Sequence, residues 1–174
     1  GTSDLLSPQA GRDPMYADFS IQGYETKSGS HAQFLTVQAP QLHPVPGDLT
    51  LEQAGSYILN LGTIWRCLYT TLEIIGGKTI FIEGSATGTG LDALKSAKAS
   101  GLQVTGLVSS PARAEFVKSK GAGGALDRTD PRFKSLFTSV PDGTKADWAA
   151  WEQAGEALVA EYKALNGGKL ADYA

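Results

Sequence analysis

The sequence predicts an α/β fold in which parallel strands alternate with helices. The first observation is the order of segments in residues 78–98. A short apolar run leads into a glycine-containing turn, and the turn opens into a helix-forming segment. The second observation is another apolar run at residues 101–108, which has the character of a buried strand. Strand, helix and strand therefore follow one another within about 30 residues, the length of a parallel βαβ unit.

The turn after the first strand contains Gly84, Gly88 and Gly90. Glycines let the backbone approach a phosphate because they carry no Cβ atom, and the first amides of a helix present its positive dipole end to an anion. The spacing departs from G-x-G-x-x-G, so the turn alone is also compatible with a tight strand-to-helix connection that binds no ligand. Followed by a second strand, it predicts a pyrophosphate-binding turn at residues 84–90.

The residues after the second strand indicate which dinucleotide is bound. An Asp or Glu there accepts hydrogen bonds from both ribose hydroxyls and repels a 2′-phosphate. Here the strand is followed by Ser109, Ser110, Pro111 and, two positions later, Arg113. Two hydroxyls and a guanidinium suit a phosphate, so the sequence predicts a preference for NADPH over NADH. A second interpretation, compatible with the first, is that Ser110 caps a helix with Pro111 at its first position.

Composition argues against several other classes of protein. The 174 residues are enough for one ordinary domain, and 41% hydrophobic and 19% charged residues are typical of a globular protein. A net charge of −3 without a basic stripe argues against a nucleic-acid partner. No apolar run approaches the roughly 20 residues of a membrane helix. A single cysteine, Cys67, excludes an internal disulfide and a cysteine-based zinc cluster. We expect a buried thiol, no metal site and a cytoplasmic location.

The remaining elements follow from local patterns. Prolines make residues 42–46 an extended connector, and Thr50 with Gln53 predicts a capping box at the start of a helix. Further strands are expected at residues 30–37, 125–127 and 169–174. Further helices are expected at residues 51–57, 63–72, 112–120 and 146–166, with turns at 60–62 and 76–77 and a short helix within 131–143.

The helix at residues 146–166 carries an apolar stripe that we expect to pack in the core rather than to bind a ligand. Its members are Trp148, Trp151, Leu158, Tyr162 and Leu165. In all, only about three and a half sheet strands are expected, whereas a dinucleotide-binding domain usually has about six in two halves. We therefore expect an internal piece of a larger enzyme, without the nicotinamide side of the sheet.

Several short stretches together point to one family. They are G-Y-E-T at residues 23–26, G-S-H-A-Q-F at 29–34, L-H-P-V-P at 42–46, L-G-T-I-W-R at 61–66, the turn at 84–90, V-S-S-P at 108–111 and G-A-x-x-x-x-D-R at 121–128. The combination resembles the medium-chain dehydrogenase/reductases and, within that superfamily, the crotonyl-CoA carboxylase/reductase group. A related reductase is fused inside propionyl-CoA synthase, and a piece of such a fusion is a further expectation.

The resemblance implies the N-terminal half of a Rossmann dinucleotide-binding domain, preceded by the end of a GroES-like β catalytic domain. Residues 1–47 would belong to the catalytic domain, and residues 48–174 to the junction helices and the NADPH-binding half. The implied activity is NADPH-dependent reduction of a 2-enoyl-CoA: acryloyl-CoA to propionyl-CoA, or crotonyl-CoA with or without carboxylation. The implied partners are the enoyl-CoA, the remainder of the parent enzyme and further copies of that parent, with no nucleic acid and no membrane. The chain alone is expected to be inactive.

The resemblance also implies roles for individual residues. Tyr24 and Glu25 match the active-site mouth, where carboxylating members place a glutamate near bound CO2. Glu25 is equally compatible with a salt-bridged carboxylate at a domain junction. The matched cofactor-binding residues are Thr63 beside the nicotinamide end, Thr87, Gly88, Thr89 and Gly90 in the pyrophosphate turn, and Ser109, Ser110 and Arg113 at the 2′-phosphate.

Three positions depart from the family pattern. Glycine is usual where Thr87 stands, Leu or Val where Thr89 stands, and Phe is frequent in carboxylases where Tyr24 stands. A β-branched residue at position 87 restricts the backbone and is expected to weaken or reshape the cofactor contact. Two other functions therefore stay open: a quinone or enone reductase of the same superfamily, and a non-catalytic relative that binds NADPH.

Overall fold

The computed structural model describes residues 23–24, 27, 29–37, 39–138 and 145–174. The chain divides into two units, Gly1–Leu59 and Asn60–Ala174. The second unit holds the sheet, and the domain boundary that we expect between residues 47 and 48 stays a prediction. No helix among the described residues is long and apolar enough to cross a membrane.

The described part of the first unit is irregular chain, apart from a short 3₁₀ turn at Ala39–Gln41 and the start of helix α1 (Leu51–Trp65). The connector at residues 42–46 is irregular, as predicted. The strand predicted at residues 30–37 is wrong: this segment consists of bends and irregular chain, and Phe34 is 91% exposed. Alternating side chains form a strand only beside a partner that takes up the backbone hydrogen bonds, and no described strand pairs with this segment.

Helix α1 begins at the predicted capping box. The Thr50 hydroxyl accepts a hydrogen bond from the Gln53 amide (3.2 Å), and the Gln53 side-chain oxygen accepts one from the Thr50 amide (2.9 Å). The predicted break at residues 60–62 is wrong, because α1 runs through it and continues as a π-helical segment, Arg66–Thr71. A single helical glycine such as Gly62 costs only about 1 kcal/mol relative to alanine, which neighbouring helix formers can offset.

The sheet of the second unit has three parallel strands in the order β1 (Thr79–Glu83), β2 (Gln103–Val108), β3 (Gly124–Asp127). Helix α2 (Gly88–Ala99) connects β1 to β2, and α3 (Pro111–Ser119) connects β2 to β3. The predicted strand–helix–strand unit is therefore confirmed. Because the strands are parallel, their carboxyl ends lie at one edge of the sheet, where such folds bind ligands.

Both faces of the sheet are covered. On one face Val104 and Val108 of β2 join Leu94 of α2 and Val117 of α3 in the larger core cluster. Leu107 points to the opposite face and packs in a second cluster with residues that include Tyr162 of helix α5 (Lys145–Leu165). A short helix, α4 (Ser135–Thr138), comes before α5 in the chain. Burial on both faces explains why the strands are nearly continuous apolar runs.

The end of the chain lies beside β1, on the edge away from β2. Tyr173 and Ile80 form one parallel bridge; the Phe81 amide donates to the Tyr173 carbonyl (2.9 Å), and the Tyr173 amide donates to the Thr79 carbonyl (3.1 Å). The strand predicted at residues 169–174 is thus present only as this bridge. Its direction and position match those of a fourth parallel strand.

Two expectations about side chains need correction. Cys67 is exposed and not buried, because it lies on a face of the π-helical segment away from its buried neighbour Leu68. The apolar stripe of α5 enters the core only in part: Tyr162 is 6% exposed, whereas Trp148 is 44% exposed and packs edge-on against Trp151. Both of these aromatics precede the part of α5 that packs on the sheet.

Candidate cofactor site

A cavity of about 130 Å³ lies at the carboxyl ends of β1 and β2. It is open to solvent between the turn that follows β1 and the start of α3. Its lining is contributed by the glycine turn, by the residues after β2 and by the residue after β3, and includes Gly84, Thr87, Ser109, Arg113 and Arg128. Glu83, the last residue of β1, also lines the cavity. The cavity therefore joins the two regions that the sequence analysis assigns to a dinucleotide.

The turn is built by close contact between two glycines. Gly84 has φ +65°, a left-handed conformation that glycine adopts without steric cost. A Cβ atom on Gly90 would lie 2.8 Å from the Gly84 carbonyl carbon and would overlap its oxygen. These two glycines let the start of α2 pack directly on the end of β1, as a phosphate-binding turn requires.

Thr87 is the N-cap of α2, with φ −82° and ψ 168°. These extended angles suit a β-branched residue, so the restricted backbone expected of Thr87 is compatible with the shape of the turn. The Thr87 hydroxyl accepts a hydrogen bond from the Gly90 amide (3.1 Å) and donates one to the Gly84 carbonyl (2.8 Å). The effect of Thr87 on a cofactor stays a prediction.

The geometry of the turn fits a pyrophosphate. Gly88 and Thr89 are the first two residues of α2, and their amides have no intrahelical acceptor, as in any α-helix. Such amides, at the positive end of the helix dipole, are ready donors to an anion. A Cβ atom on Gly88 would lie 3.3 Å from the side-chain nitrogen of Asn60, so a side chain at 88 would crowd Asn60.

The residues after β2 have two roles: Ser110 caps helix α3, and Ser109 and Arg113 line the cavity. The Ser110 hydroxyl accepts a hydrogen bond from the Arg113 amide (3.3 Å) as the N-cap of α3, with Pro111 at its start. This confirms the capping interpretation of Ser110. The Arg113 guanidinium donates from Nη1 to the Ser109 hydroxyl (2.7 Å), so these two side chains are held together on the cavity wall.

Arg128 lies on the same cavity and was missed from the sequence. Its backbone amide donates to the Val108 carbonyl (2.8 Å), which fixes the residue after β3 beside the end of β2. The cavity is thus lined by a second arginine where the sequence predicted one. The sequence contains a signal for this position, because Arg128 ends the G-A-x-x-x-x-D-R stretch and parallel strands end at a common edge of the sheet.

The other predicted site residues are not among those that line this cavity. Tyr24 is 83% exposed in the first unit, and Glu25 lies outside the described residues. Thr63 is an exposed residue of α1 in the second unit. The catalytic roles of Tyr24 and Glu25, and the nicotinamide contact of Thr63, stay predictions. Among the described residues no three His, Cys, Asp or Glu side chains are grouped so that they could hold a metal ion.

No family model matches the chain. The crotonyl-CoA carboxylase/reductase of Cereibacter sphaeroides is 37% identical over 144 residues, which cover 81% of the chain and 33% of that protein. A solved crotonyl-CoA carboxylase/reductase is 30% identical, with a TM-score of 0.85 over 98% of the chain and 40% of the solved one. The chain belongs to the crotonyl-CoA carboxylase/reductase family. It spans about a third of the length of this curated relative.

Two further similarities extend this result. The crotonyl-CoA carboxylase/reductase AntE, solved in complex with NADP, is 27% identical and has a TM-score of 0.79 over 94% of the chain and 41% of AntE. A quinone oxidoreductase of Pseudomonas aeruginosa is 32% identical over 117 residues, which cover 67% of the chain and 36% of that protein. The neighbours confirm the Rossmann-type α/β fold that the sequence predicts.

Proposed function

We propose that the chain is the adenosine- and pyrophosphate-binding part of an NADPH-dependent 2-enoyl-CoA reductase. The observation that carries this proposal is the phosphate-sized cavity after β2, where Ser109 and Arg113 are hydrogen-bonded and Arg128 lies on the same wall. At that position an enzyme specific for NADH usually has an acid. The relatives support the reaction class, since those named crotonyl-CoA carboxylase/reductase include one solved with NADP.

The cavity, the start of α2 and Thr63 each contact a different part of the cofactor in this proposal. The 2′-phosphate of the cofactor lies against Ser109, Arg113 and Arg128, where charge-assisted hydrogen bonds are strong. The pyrophosphate faces the Gly88 and Thr89 amides at the start of α2. Thr63 is proposed to lie at the nicotinamide end. When bound, NADPH supplies a hydride to the β-carbon of the enoyl thioester.

The finer assignments are proposals of the same kind. Tyr24 and Glu25 line the mouth of the active site, and Glu25 lies near CO2 if the parent enzyme carboxylates its product. The substrate is crotonyl-CoA or acryloyl-CoA; acryloyl-CoA is the substrate if the parent is a propionyl-CoA synthase. Support for these assignments comes from the G-Y-E-T stretch at residues 23–26 and from the family to which the chain belongs.

The cofactor assignment is tested by measuring NADPH and NADH binding with isothermal titration calorimetry. NADPH is expected to bind more tightly. Arg113→Ala should weaken NADPH binding by about 1.5–3 kcal/mol, or about 10- to 150-fold, because a charge-assisted contact is lost. Arg113→Lys, which keeps the charge without the planar fork, should lose less. NADH binding should not respond to either change.

Equal affinities for the two cofactors in the wild type would contradict the proposal. So would an Arg113→Ala variant with unchanged NADPH affinity. In either case the hydrogen bond between Ser109 and Arg113 would only stabilise the first turn of α3.

A quinone reductase is the second candidate, and the similarity to the Pseudomonas aeruginosa quinone oxidoreductase favours it. Both candidates use the same cofactor site, so the two are separated by substrate. The parent enzyme is assayed for NADPH oxidation with crotonyl-CoA, acryloyl-CoA and 1,4-benzoquinone. Turnover with benzoquinone alone would select the second candidate, and turnover with either thioester supports the first.

A further inference from the structure

The hydroxyl of Thr87 connects the two glycines that shape the turn after β1. We propose that Thr87 is a positioning residue, which holds this turn in its pyrophosphate-binding form before the cofactor arrives. The inference rests on the proposed function, because it concerns the same cavity, but it assigns a task that the glycine pattern does not supply.

The contacts of Thr87 span the turn in both directions. Its hydroxyl donates to the Gly84 carbonyl at 2.8 Å and accepts from the Gly90 amide at 3.1 Å. Its backbone amide also donates to the Gly84 carbonyl (2.9 Å), and its carbonyl accepts from the Leu91 amide (2.8 Å). Thr87 therefore makes four hydrogen bonds that together close the turn on the first residues of α2.

The glycines on each side of Thr87 need this restraint. Gly84 has φ +65°, and Gly90 packs so closely on Gly84 that a Cβ atom would not fit. Glycine backbones lose more conformational freedom on ordering than any other residue. A side chain that bonds to both glycines reduces the number of shapes open to the turn, so less freedom is lost when a phosphate binds.

The Thr87 hydroxyl also decides which amides are left for the ligand. Because it occupies the Gly90 amide, the neighbouring amides of Gly88 and Thr89 are the first-turn donors that remain without an acceptor from the cap. Thr87 itself lines the cavity that contains Ser109 and Arg113. The hydroxyl therefore orients the donors proposed to face the pyrophosphate without occupying them.

A purely structural cap and a positioning residue differ in what they do to two ligands. NADPH contacts both the pyrophosphate turn and the 2′-phosphate wall, whereas adenosine 2′-monophosphate carries only the phosphate that faces Ser109 and Arg113. Loss of the Thr87 hydroxyl should weaken the binding of NADPH, which contacts the turn, and not that of adenosine 2′-monophosphate. A variant that merely loosens the fold should weaken both.

The experiment compares Thr87→Val, which keeps the branched shape without the hydroxyl, with the matched control Thr87→Ser, which keeps the hydroxyl. Binding of NADPH is measured by calorimetry and binding of adenosine 2′-monophosphate by NMR titration. Thr87→Val should weaken NADPH binding about tenfold, which corresponds to the loss of one capping hydrogen bond. The same variant should bind adenosine 2′-monophosphate with an affinity within about twofold of the wild type. Thr87→Ser should leave both ligands within about twofold. Thr87→Ala replaces the Val variant if circular dichroism shows that the Val variant is unfolded.

The outcomes separate the inference from the proposed function. Unchanged NADPH affinity in the variant without the hydroxyl overturns the inference while NADPH binding itself stands. An equal loss for both ligands also overturns it, because the role is then structural. A wild-type chain that binds neither ligand overturns the proposed function and the inference with it.

Discussion

Gly106 lies in the middle of β2, and a Cβ atom there would lie 2.8 Å from the Cβ of Ser85 and overlap its hydroxyl. Ser85 is completely buried, and its hydroxyl donates to the Leu107 carbonyl (3.3 Å). Ser85 also follows Gly84 directly, so the packing under β2 is continuous with the glycine turn. At the residue scale, the cavity depends on small side chains that are packed tightly beneath it.

Gly106→Ala should lower the free energy of unfolding by about 1–3 kcal/mol, because Ser85 has no room to move away. Gly55→Ala is the matched control: no atom lies within 4 Å of a Cβ on Gly55, which is an exposed residue of α1. That change should raise stability by about 0.4–1 kcal/mol, since alanine restricts the unfolded chain. Urea denaturation of both variants checks the difference. Equal urea midpoints for the two variants would show that the space beside Gly106 can accommodate a Cβ atom.

At the element scale, the sequence predicts elements well where Gly, Pro and capping residues mark their ends. The capping box at Thr50, the turn at residues 76–77 and the N-cap Ser110 before Pro111 all place element boundaries correctly. Elements that depend on a partner are predicted poorly. Residues 30–37 have the alternation of a strand but pair with no described strand, and residues 169–174 pair with β1 through a single bridge.

The same distinction applies to the site. Ser109 and Arg113 are four positions apart and are hydrogen-bonded to each other, because both lie at the start of one helix. Arg128 reaches them only through the parallel order of three strands, a tertiary fact that local patterns do not contain. Thr87 shows the reverse case. Its departure from the glycine pattern predicts a restricted backbone, and the extended angles at this position are ones that a β-branched residue adopts readily.

The chain end is attached to β1 through Asp172. One carboxylate oxygen of Asp172 accepts hydrogen bonds from the Thr79 amide and the Thr79 hydroxyl, both at 2.9 Å. Lys78 lies 3.5 Å from the other oxygen. The backbone and then the side-chain hydrogen bond of Thr79 hold the pKa of Asp172 below its usual value, and the charge of Lys78 acts in the same direction.

Asp172→Asn should therefore lower the melting temperature at pH 7. A carboxylate whose folded-state pKa is lowered stabilises the fold above its unfolded pKa of about 3.9, and this contribution is lost as the pH falls through the folded pKa. The difference between variant and wild type should thus shrink below about pH 4. Thermal melts from pH 7 to pH 3 measure it, with Glu152→Gln, an exposed change on α5, as the control. A difference that stays constant with pH would mean that the charge of Asp172 is not involved.

At the scale of the whole molecule, the 174 residues align over 98% of their length with a crotonyl-CoA carboxylase/reductase of which they cover only 40%. The described cavity and the adjoining start of α2 account for the 2′-phosphate and pyrophosphate contacts in the proposed function. Tyr24 and Glu25 are proposed for the mouth of the active site. They were assigned from short family stretches rather than from geometry. Sequence alone could not position them, because a catalytic mouth is formed by residues far apart in the chain.

The last prediction follows from this division of tasks: the 174-residue chain should bind NADPH but not reduce an enoyl-CoA at a measurable rate. Hydride transfer requires the nicotinamide and the substrate β-carbon to be held about 3–3.5 Å apart, and a misplacement of about 1 Å already costs about 100-fold in rate. Apart from Thr63, the cofactor contacts proposed within the described chain are to the pyrophosphate and the 2′-phosphate, away from the nicotinamide. NADPH oxidation with crotonyl-CoA and acryloyl-CoA is followed by absorbance for the chain and for the proposed parent enzyme. The chain should be slower by more than about 100-fold, while its NADPH affinity, measured in parallel, shows that the cofactor site is formed. Rates that approach those of the parent would mean that the residues holding the nicotinamide and the thioester lie within this chain.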